Sequence, residues 1–439
     1  MEKGPEFLYI QKIVYLFYDL LMILALAVIM PGYWIRLKIR RGRSLHLKER
    51  LGFAPPAPAA AGRPHVWIHA VSVGEVLSLQ SLVAAIRAAH PEWEIGFSVL
   101  TDTGYEMARD KIKDFDRLFF IPFDLGFCVS RVFARVRPSL LVLAESEYWP
   151  RLLREAARRQ CPVLVVNGRM SDRTFSRMAR LRPFALRLLG RVTRFLVQTP
   201  LDRDRLEKIG CDPGKIAVAG NLKCETRLPD LSEEELTAFK RELGLRSGNT
   251  VVVAGSIHPG EEAILLEAFR IARGRHPGIR LILAPRHPEK FVGFAETHSE
   301  KNLVIRKKTE IDPSGDWDIL LLDTIGELAR TYAVGDVAFV GGSLIPWGGQ
   351  NFLEPAFYGK PVIFGPHMKN FASLTETFEK GGGAKTVRTA EEIAAYFACT
   401  EPEAMADMGR KAKDILVSLQ GATGRSLRAI EALMEGRDG

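Results

Sequence analysis

Short apolar runs alternate with longer amphipathic stretches along most of the chain, and the alternation occurs in two series. Continuous apolar runs are typical of strands that are covered on both faces of a parallel sheet. The stretches between them have helical periodicity, as in residues 76–89 and 151–159. The predicted strands are 66–70, 95–100, 118–121, 140–144, 163–166 and 195–198 in the first series, and 251–254, 280–284, 303–305, 319–322, 337–340 and 361–364 in the second. This pattern predicts an α/β protein.

The two series are separated at residues 221–231, and an acidic helix start follows at residues 233–235. Two doubly wound, Rossmann-like domains of this kind would face a cleft at the carboxyl ends of their strands. We predict an N-terminal domain at 51–227, a C-terminal domain at 228–415, and a last helix at 416–439 that can cross back to the N-terminal domain.

An apolar segment, Ile13–Met30, lies before both series and is interrupted by Asp19 and two tyrosines. Its length is near the lower limit for crossing a bilayer. A secretory signal is one alternative, but it would carry its positive charge before the apolar run, whereas here the basic residues follow it. The other alternative is an ordinary buried helix. With its basic flank, residues 1–50 are predicted to be an uncleaved membrane anchor that places the following chain on the cytoplasmic side. Because Asp19 is costly in hydrocarbon, spanning and interfacial placement both stay open. The basic residues of the flank are Arg36, Lys38, Arg40, Arg41, Arg43, Lys48 and Arg50.

The composition is that of a globular protein of 439 residues in which 61 Lys and Arg face 52 Asp and Glu. This excess of positive charge is too small to indicate a nucleic-acid partner. The five cysteines form no CxxC pair, so neither a disulfide framework nor a zinc site is expected. His65 and His69 are four residues apart on a predicted strand, about 13 Å, which is too far for one ion. No metal site and no cofactor are predicted.

Acidic side chains follow two predicted strands of the first series. The segment HAVSVGE ends in Glu75 at a predicted helix start, and AESEYWP places Glu145 and Glu147 after an apolar strand. A carboxylate at a cleft-facing helix start can serve as a base. The alternatives are structural: Glu75 can cap its helix with Ser72, and Glu147 can cap the next helix.

Four loops of the second series, at 255–262, 284–289, 323–328 and 341–355, follow predicted strands at one edge of the sheet. Their glycines and helix starts, including Ser256 and Gly342, offer N–H groups to phosphate oxygens. Arg286 adds a charged donor, and Glu354 can accept both hydroxyls of a ribose. The loops together predict a nucleotide site.

These segments, together with GNLK and GGSLIPWGGQNFLEPAFYGKPVIFGPHMKNF, resemble the 3-deoxy-D-manno-octulosonic acid (Kdo) transferases. The resemblance implies a membrane-anchored GT-B glycosyltransferase that moves Kdo from CMP-Kdo to a lipid A precursor of the lipid IVA type, with inversion, in lipopolysaccharide core assembly. It implies that Glu75 is the general base and that Lys223 and Glu145 or Glu147 lie near the transferred sugar. The implied CMP-binding residues are Pro285, Arg286, Ile325, Gly326, Glu327, Asn351, Leu353 and Glu354.

Two other classes of protein remain possible from the sequence. One is a GT-B enzyme that uses a different nucleotide sugar, including a sugar-nucleotide epimerase. The other is a non-catalytic, membrane-tethered binding protein.

A run of arginines between the two series is a further candidate for membrane contact. Its spacing can form one basic helix face, which is either solvated or in contact with an anionic lipid surface. The run comprises Arg169, Arg173, Arg177, Arg180, Arg182, Arg187, Arg191 and Arg194.

Overall fold

The computed structural model of the protein describes residues 5–41, 46–54, 62–225, 228–298 and 303–436. The chain divides into two compact units. Unit 1 consists of Met1–Glu225 and Gln420–Gly439, and unit 2 consists of Thr226–Leu419. Each unit contains a parallel sheet of seven strands. The α/β fold with two doubly wound halves is therefore confirmed.

The sheet of unit 1 has the strand order β3-β2-β1-β4-β5-β6-β7. Its strands are β1 (His65–Ala70), β2 (Glu94–Val99), β3 (Arg117–Phe120), β4 (Leu140–Ala144), β5 (Val163–Gly168), β6 (Arg194–Val197) and β7 (Ile216–Val218). Its helices are α1 (Pro5–Arg41), α2 (Leu47–Arg50), α3 (Val73–Ala89), α4 (Asp102–Lys111), α5 (Gly126–Val136), α6 (Pro150–Arg158), α7 (Asp172–Arg180), α8 (Arg182–Leu189), α9 (Pro200–Ile209) and α18 (Ala422–Glu435).

Helices cover both faces of this sheet, so its central strands are buried along their whole length. Successive side chains of β1 point to opposite faces. Ile68 packs with Leu79 of α3 and Ile430 of α18, whereas Trp67 packs with Phe133 of α5. The last helix of the chain therefore completes the core of unit 1.

The sheet of unit 2 has the strand order β10-β11-β9-β8-β12-β13-β14. Its strands are β8 (Thr250–Ile257), β9 (Ile279–Pro285), β10 (Ile305–Lys307), β11 (Ile319–Leu321), β12 (Val337–Val340), β13 (Val362–Phe364) and β14 (Ala384–Thr386). Its helices are α10 (Glu233–Glu242), α11 (Glu262–Arg275), α12 (Phe294–His298), α13 (Leu328–Val334), α14 (Leu353–Phe357), α15 (Ala372–Lys380), α16 (Ala390–Phe397) and α17 (Pro402–Ser418). Phe269 and Phe397 are buried on one face of the sheet, and Trp317 and Tyr332 on the other.

The amino-terminal helix α1 contains the apolar segment Ile13–Met30, which has a mean hydropathy of 2.5. Among the described residues, it is the one helix long and apolar enough to cross a membrane. The helix continues to Arg41, and Arg43 of the basic flank lies outside the described residues.

The middle of the arginine run lies on two helices, α7 and α8, which meet at Leu181, whereas Arg169 precedes α7 and Arg194 begins β6. Arg173, Arg177 and Arg180 are exposed on α7, a helix with no buried residue. The expected basic face is thus confined to α7, because Arg182 already begins the next helix.

Candidate functional site

In each sheet the first strand lies between the strands of the first half and those of the second half of the unit, and several candidate residues follow the two strands that border this point. In unit 1 these strands are β1 and β4, and in unit 2 they are β8 and β12. The loops after such a pair of strands diverge and leave a crevice at the carboxyl edge, where ligands of α/β proteins bind. This topology explains why Glu75, after β1, lies in the same region as Glu145 and Glu147, after β4.

Glu75 is the third residue of α3 and is held by the start of its own helix. Its Oε2 accepts a hydrogen bond from the backbone N–H of Val71 at 2.8 Å, and its Oε1 accepts one from the hydroxyl of Ser72 at 2.9 Å. The expected capping arrangement is therefore present. Burial of the carboxyl and the charge of Glu145 raise the pKa of Glu75. Both carboxyl oxygens of Glu75 are bonded to the start of its own helix, and a carboxylate can accept more than one hydrogen bond on each oxygen.

Glu145 and Glu147 lie in different environments. Glu145 has a left-handed backbone with φ of 51°, and its Oε1 lies 3.8 Å from Nζ of Lys223. Glu147 accepts a hydrogen bond from the indole N–H of Trp149 at 2.7 Å. Burial, and then the charges of Glu75 and Glu145, raise the pKa of Glu147 to about 7. The site therefore combines three coupled carboxyl groups with one ammonium group.

Two aromatic residues of this site were not predicted from the sequence. The ring of Trp149 meets the ring of His69 edge to face, with centroids 6.2 Å apart. His69 is buried beside Ser98, and burial lowers its pKa to about 4, so its ring is neutral at physiological pH. Both residues lie within the motifs that contain the candidate carboxylates, but neither has a sequence spacing that indicates a contact.

In unit 2, the buried carboxylate of Glu261 joins the loop after β8 to the loop after β12. It accepts backbone N–H groups from His258 at 2.9 Å, Gly342 at 2.6 Å, and both Ser343 and Leu344 at 2.9 Å. The expectation that Gly342 offers a bare N–H group to phosphate is therefore wrong. Its N–H group is bonded to Glu261, which was not among the predicted residues.

Asn351 and Glu354 form a second polar group at the same edge. The side-chain N–H of Asn351 donates to Oε1 of Glu354 at 3.0 Å, and its side-chain oxygen accepts the backbone N–H of Leu353 at 3.1 Å. Burial raises the pKa of Glu354, and the positive charge of Arg286 opposes that rise. Arg286 is exposed, and its backbone N–H is bonded to the carbonyl of Ile257. Glu354 is therefore a carboxyl group that is held by Asn351 and influenced by the positive charge of Arg286.

The remaining predicted residues of unit 2 lie at or after the carboxyl ends of β8, β9 and β11. Pro285 ends β9, and Ser256, in β8, has a left-handed backbone with φ of 55°. Ile325 is 91% exposed, and Gly326 beside it has φ of 94°. Glu327 precedes α13 and lies 3.5 Å from Nζ of Lys308. The exposed Ile325 offers an apolar surface to a flat ring.

A histidine that was not predicted lies between these loops. The ring of His258 stacks on Trp347 with centroids 4.8 Å apart, and its Nε2 lies 3.1 Å from the amide of Gln350. Burial and the positive side chains nearby lower the pKa of His258. Within the described part of the chain, no three His, Cys, Asp or Glu side chains are grouped as metal ligands.

Comparisons with known proteins bear on this site. A family profile described as 3-Deoxy-D-manno-octulosonic-acid transferase (kdotransferase) matches residues 45–226. The 3-deoxy-D-manno-octulosonic acid transferase of Haemophilus influenzae is 30% identical over 395 residues, which cover 89% of this chain and 91% of that protein. The transferase of the same name from Bordetella pertussis is 32% identical over 402 residues, which cover 87% and 90%.

Two solved structures show the fold. The UDP-GlcNAc 2-epimerase of Neisseria meningitidis matches 85% of this chain and all of its own, with a TM-score of 0.53 and 11% identity. The calicheamicin glycosyltransferase matches 85% of this chain and 99% of its own, with a TM-score of 0.52 and 13% identity. The two sheets have the GT-B architecture that the sequence predicts.

Proposed function

Because the chain belongs to the 3-deoxy-D-manno-octulosonic acid (Kdo) transferase family and is therefore a glycosyltransferase, we propose that it transfers Kdo from CMP-Kdo to a lipid A precursor of the lipid IVA type. The observation that supports this chemistry most is the group of buried, coupled carboxyls at the crevice of unit 1. An acceptor hydroxyl needs a base within reach, and a buried carboxylate with a raised pKa suits that task.

In the proposed reaction, Glu75 takes the proton from the acceptor hydroxyl. The acceptor oxygen forms its bond to the anomeric carbon on the face opposite CMP, and the bond from that carbon to the phosphate oxygen breaks with its electron pair left on CMP. The configuration is thereby inverted. Lys223, beside Glu145, supplies positive charge for the carboxylate of the sugar. Glu147, with a pKa of about 7, can keep a proton and donate a hydrogen bond to the sugar.

We propose that the carboxyl edge of unit 2 binds CMP. Glu354, oriented by Asn351, accepts the ribose hydroxyls, and Arg286 binds the phosphate and stabilises its charge as CMP leaves. The base rests against Ile325 and the flexible backbone of Gly326. Glu261 contributes indirectly, since its four hydrogen bonds fix the two loops that border the site. The remaining members of the proposed CMP site are Ser256, Pro285, Glu327 and Leu353.

The acid limb of the pH profile is expected to move to lower pH in Glu145→Gln and to stay in place in Glu147→Gln. Only ionised Glu75 can take a proton, so turnover falls as the pH drops through the pKa of Glu75. The charge of Glu145 raises that pKa, and its removal lowers it. Among the acidic groups, Glu145 is the one whose charge raises the pKa of Glu75, so we expect replacing Glu147 to leave that pKa in place. Normalised kcat measured against pH locates the acid limb in each variant. An equal shift of the acid limb in the two variants would contradict the assignment.

We further propose that the protein acts at the cytoplasmic face of the inner membrane, in lipopolysaccharide core assembly. The apolar helix α1 and the exposed arginines of α7 support this location. A phosphorylated lipid acceptor needs fixed positive charge on the protein that binds it. Each basic residue near an anionic leaflet contributes about 1 kcal/mol to membrane binding.

Replacing Arg173, Arg177 and Arg180 together by glutamine is expected to raise the KM for the lipid acceptor and leave CMP affinity unchanged. Binding to anionic vesicles should also become less sensitive to salt, because fewer pairs of arginine and lipid headgroup remain for the salt to screen. Acceptor kinetics and vesicle sedimentation at two salt concentrations measure these effects. The control replaces Arg109, Arg158 and Arg410, which are exposed elsewhere, and so changes the net charge equally. If both triple variants behave alike, α7 is only a solvated face.

A further inference from the structure

The polar side chains of α1 contact the body of unit 1. Both carboxyl oxygens of Asp19 accept hydrogen bonds from the guanidinium of Arg151, at 2.7 and 2.5 Å. The same guanidinium donates to the backbone carbonyl of Tyr15 at 2.7 Å, and the hydroxyl of Tyr18 donates to Asp124 at 2.8 Å. We call these five residues, Tyr15, Tyr18, Asp19, Asp124 and Arg151, the α1 clamp.

The clamp is part of the folded body of the unit. Asp124 is buried and also accepts the backbone N–H groups of Arg151 and Leu152, which begin α6. The ring of Tyr15 is only 7% exposed. The guanidinium groups of Arg154 and Arg151 lie 4.2 and 4.7 Å from its centroid, within the range of a cation–π contact. Moving α1 away from the unit would therefore break contacts that also order α6.

The other sides of α1 are apolar and exposed. Leu16 is 70% exposed and Val28 is 73% exposed, whereas the residues at helical spacing from Tyr15 are partly covered. Val14 and Tyr15 line a small cavity with Phe184 and Leu188 of α8. Phe184 is itself exposed, so the apolar surface continues from α1 onto α8. The exposed apolar residues of α1 are Ile13, Val14, Leu16, Phe17, Leu20, Leu21, Ile23, Leu24, Val28 and Ile29.

The clamp and a transmembrane placement of α1 exclude each other. A helix rises 1.5 Å per residue, so Asp19 lies about 9 Å inside the segment that starts at Ile13. If Ile13–Met30 crossed the hydrocarbon, Asp19 would enter it, and so would Arg151 and the start of α6 if the clamp stayed closed. Polar backbone outside a helix or a closed barrel is not tolerated against lipid.

We propose that α1 is an in-plane membrane helix: the clamp holds it against unit 1, and its exposed apolar face enters the acyl region of one leaflet of an anionic bilayer without crossing it. Arg154 and Arg191 lie over the ring of Tyr15, and Arg187 lines the cavity with Val14 and Tyr15, so positive charge borders α1 on its covered side and matches the negative charge of the headgroups. The inference rests on the membrane location proposed above and adds the orientation of the helix, which the sequence leaves open.

Protease access to tags at the two ends of the full chain tests the orientation. Inverted inner-membrane vesicles expose the cytoplasmic face, so a C-terminal tag reports the side on which the two units lie. We expect protease to remove a tag placed before Met1 as fast as the C-terminal tag while the vesicles are intact. An N-terminal tag that resists protease until detergent is added would overturn the proposal.

Opening the clamp tests its role. In Asp19→Leu the ion pair is lost and the segment becomes wholly apolar in its middle, so we expect a several-fold larger fraction of N-terminal tags to become protected. Asp110→Leu, which removes an exposed acid of another ion pair in unit 1, should leave the fraction at the wild-type value. If Asp19→Leu also leaves it there, the clamp does not set the orientation.

The two proposals about the membrane can fail separately. Loss of the protein from sedimented vesicles would contradict the membrane location itself. Retention in the vesicle pellet with a protected N-terminal tag would contradict only the in-plane helix. The wild-type result decides the orientation even if the Asp19 variant does not fold.

Discussion

Replacing Glu75 by glutamine is expected to lower kcat for Kdo transfer by a factor of about 10² or more and to leave CMP affinity unchanged. Glutamine has nearly the same shape, so it still fits beside Val71 and Ser72, but it cannot take a proton from the acceptor hydroxyl. The proposed CMP site belongs to unit 2, and Glu75 belongs to unit 1. Steady-state kinetics with saturating acceptor, together with calorimetry of CMP binding, measure the two quantities.

The chain offers a matched control for the capping role of Glu75. Glu235 is also the third residue of a serine-capped helix, and its carboxyl accepts the backbone N–H of Ser232 at 2.8 Å. Glu235→Gln should lose a similar capping hydrogen bond and keep its turnover. A folded Glu75→Gln enzyme that turns over as fast as Glu235→Gln would refute the assignment of the base.

Replacing Glu354 by glutamine or Arg286 by alanine is expected to weaken CMP binding by about 1–3 kcal/mol, roughly 5- to 150-fold. Glu354→Gln loses a charged acceptor for the ribose hydroxyls and leaves Asn351 without its carboxylate partner. Arg286→Ala removes the cation whose charge opposes the raised pKa of Glu354. Isothermal titration with CMP gives each affinity.

Controls for these two variants come from exposed residues of the same unit. Glu310→Gln and Arg410→Gln remove equivalent charges from side chains that are 63% and 68% exposed, and CMP affinity should stay at the wild-type value. If the CMP affinity is unchanged in both site variants, CMP binds elsewhere in the protein.

The interior strands of both sheets were predictable because their pattern depends only on burial. β1 and β4 are buried at every position, and full burial produces mostly apolar runs that a single sequence shows. The edge strands β7 and β14 were not predicted. Each has three residues, of which only the first is buried; β14 (AKT) has no apolar run, and the run in β7 (IAV) is shorter than the runs that indicate a strand. Their place is set by pairing with β6 and β13.

The candidate residues of unit 1 were predictable from their position after strands, but their partners were not. The sequence left capping and a cleft-facing role for Glu75 as alternatives, and the structure shows the capping bonds, which do not use up the acceptor capacity of a carboxylate. The contact between Trp149 and His69 joins two strands that are adjacent only in the folded sheet. Such a contact needs the strand order, which periodicity alone does not contain.

In unit 2 the sequence indicated Gly342 as a free backbone donor, whereas the structure shows its N–H bonded to Glu261. Glu261 and Glu262 are neighbours, and nothing in their spacing shows that Glu261 turns inward to bind Gly342 while Glu262 binds the backbone N–H of Gly260. The choice depends on how closely the loops after β8 and β12 approach each other, which only the tertiary structure determines.

The most direct test of the proposed function is the coupled measurement of CMP release and product mass with the purified full-length protein, CMP-Kdo and a lipid A precursor. We predict that each CMP released corresponds to one Kdo gained by the lipid, and that the new linkage has the inverted anomeric configuration. Release without a gain in lipid mass, or no release with this donor while another nucleotide sugar is consumed, would contradict the proposal.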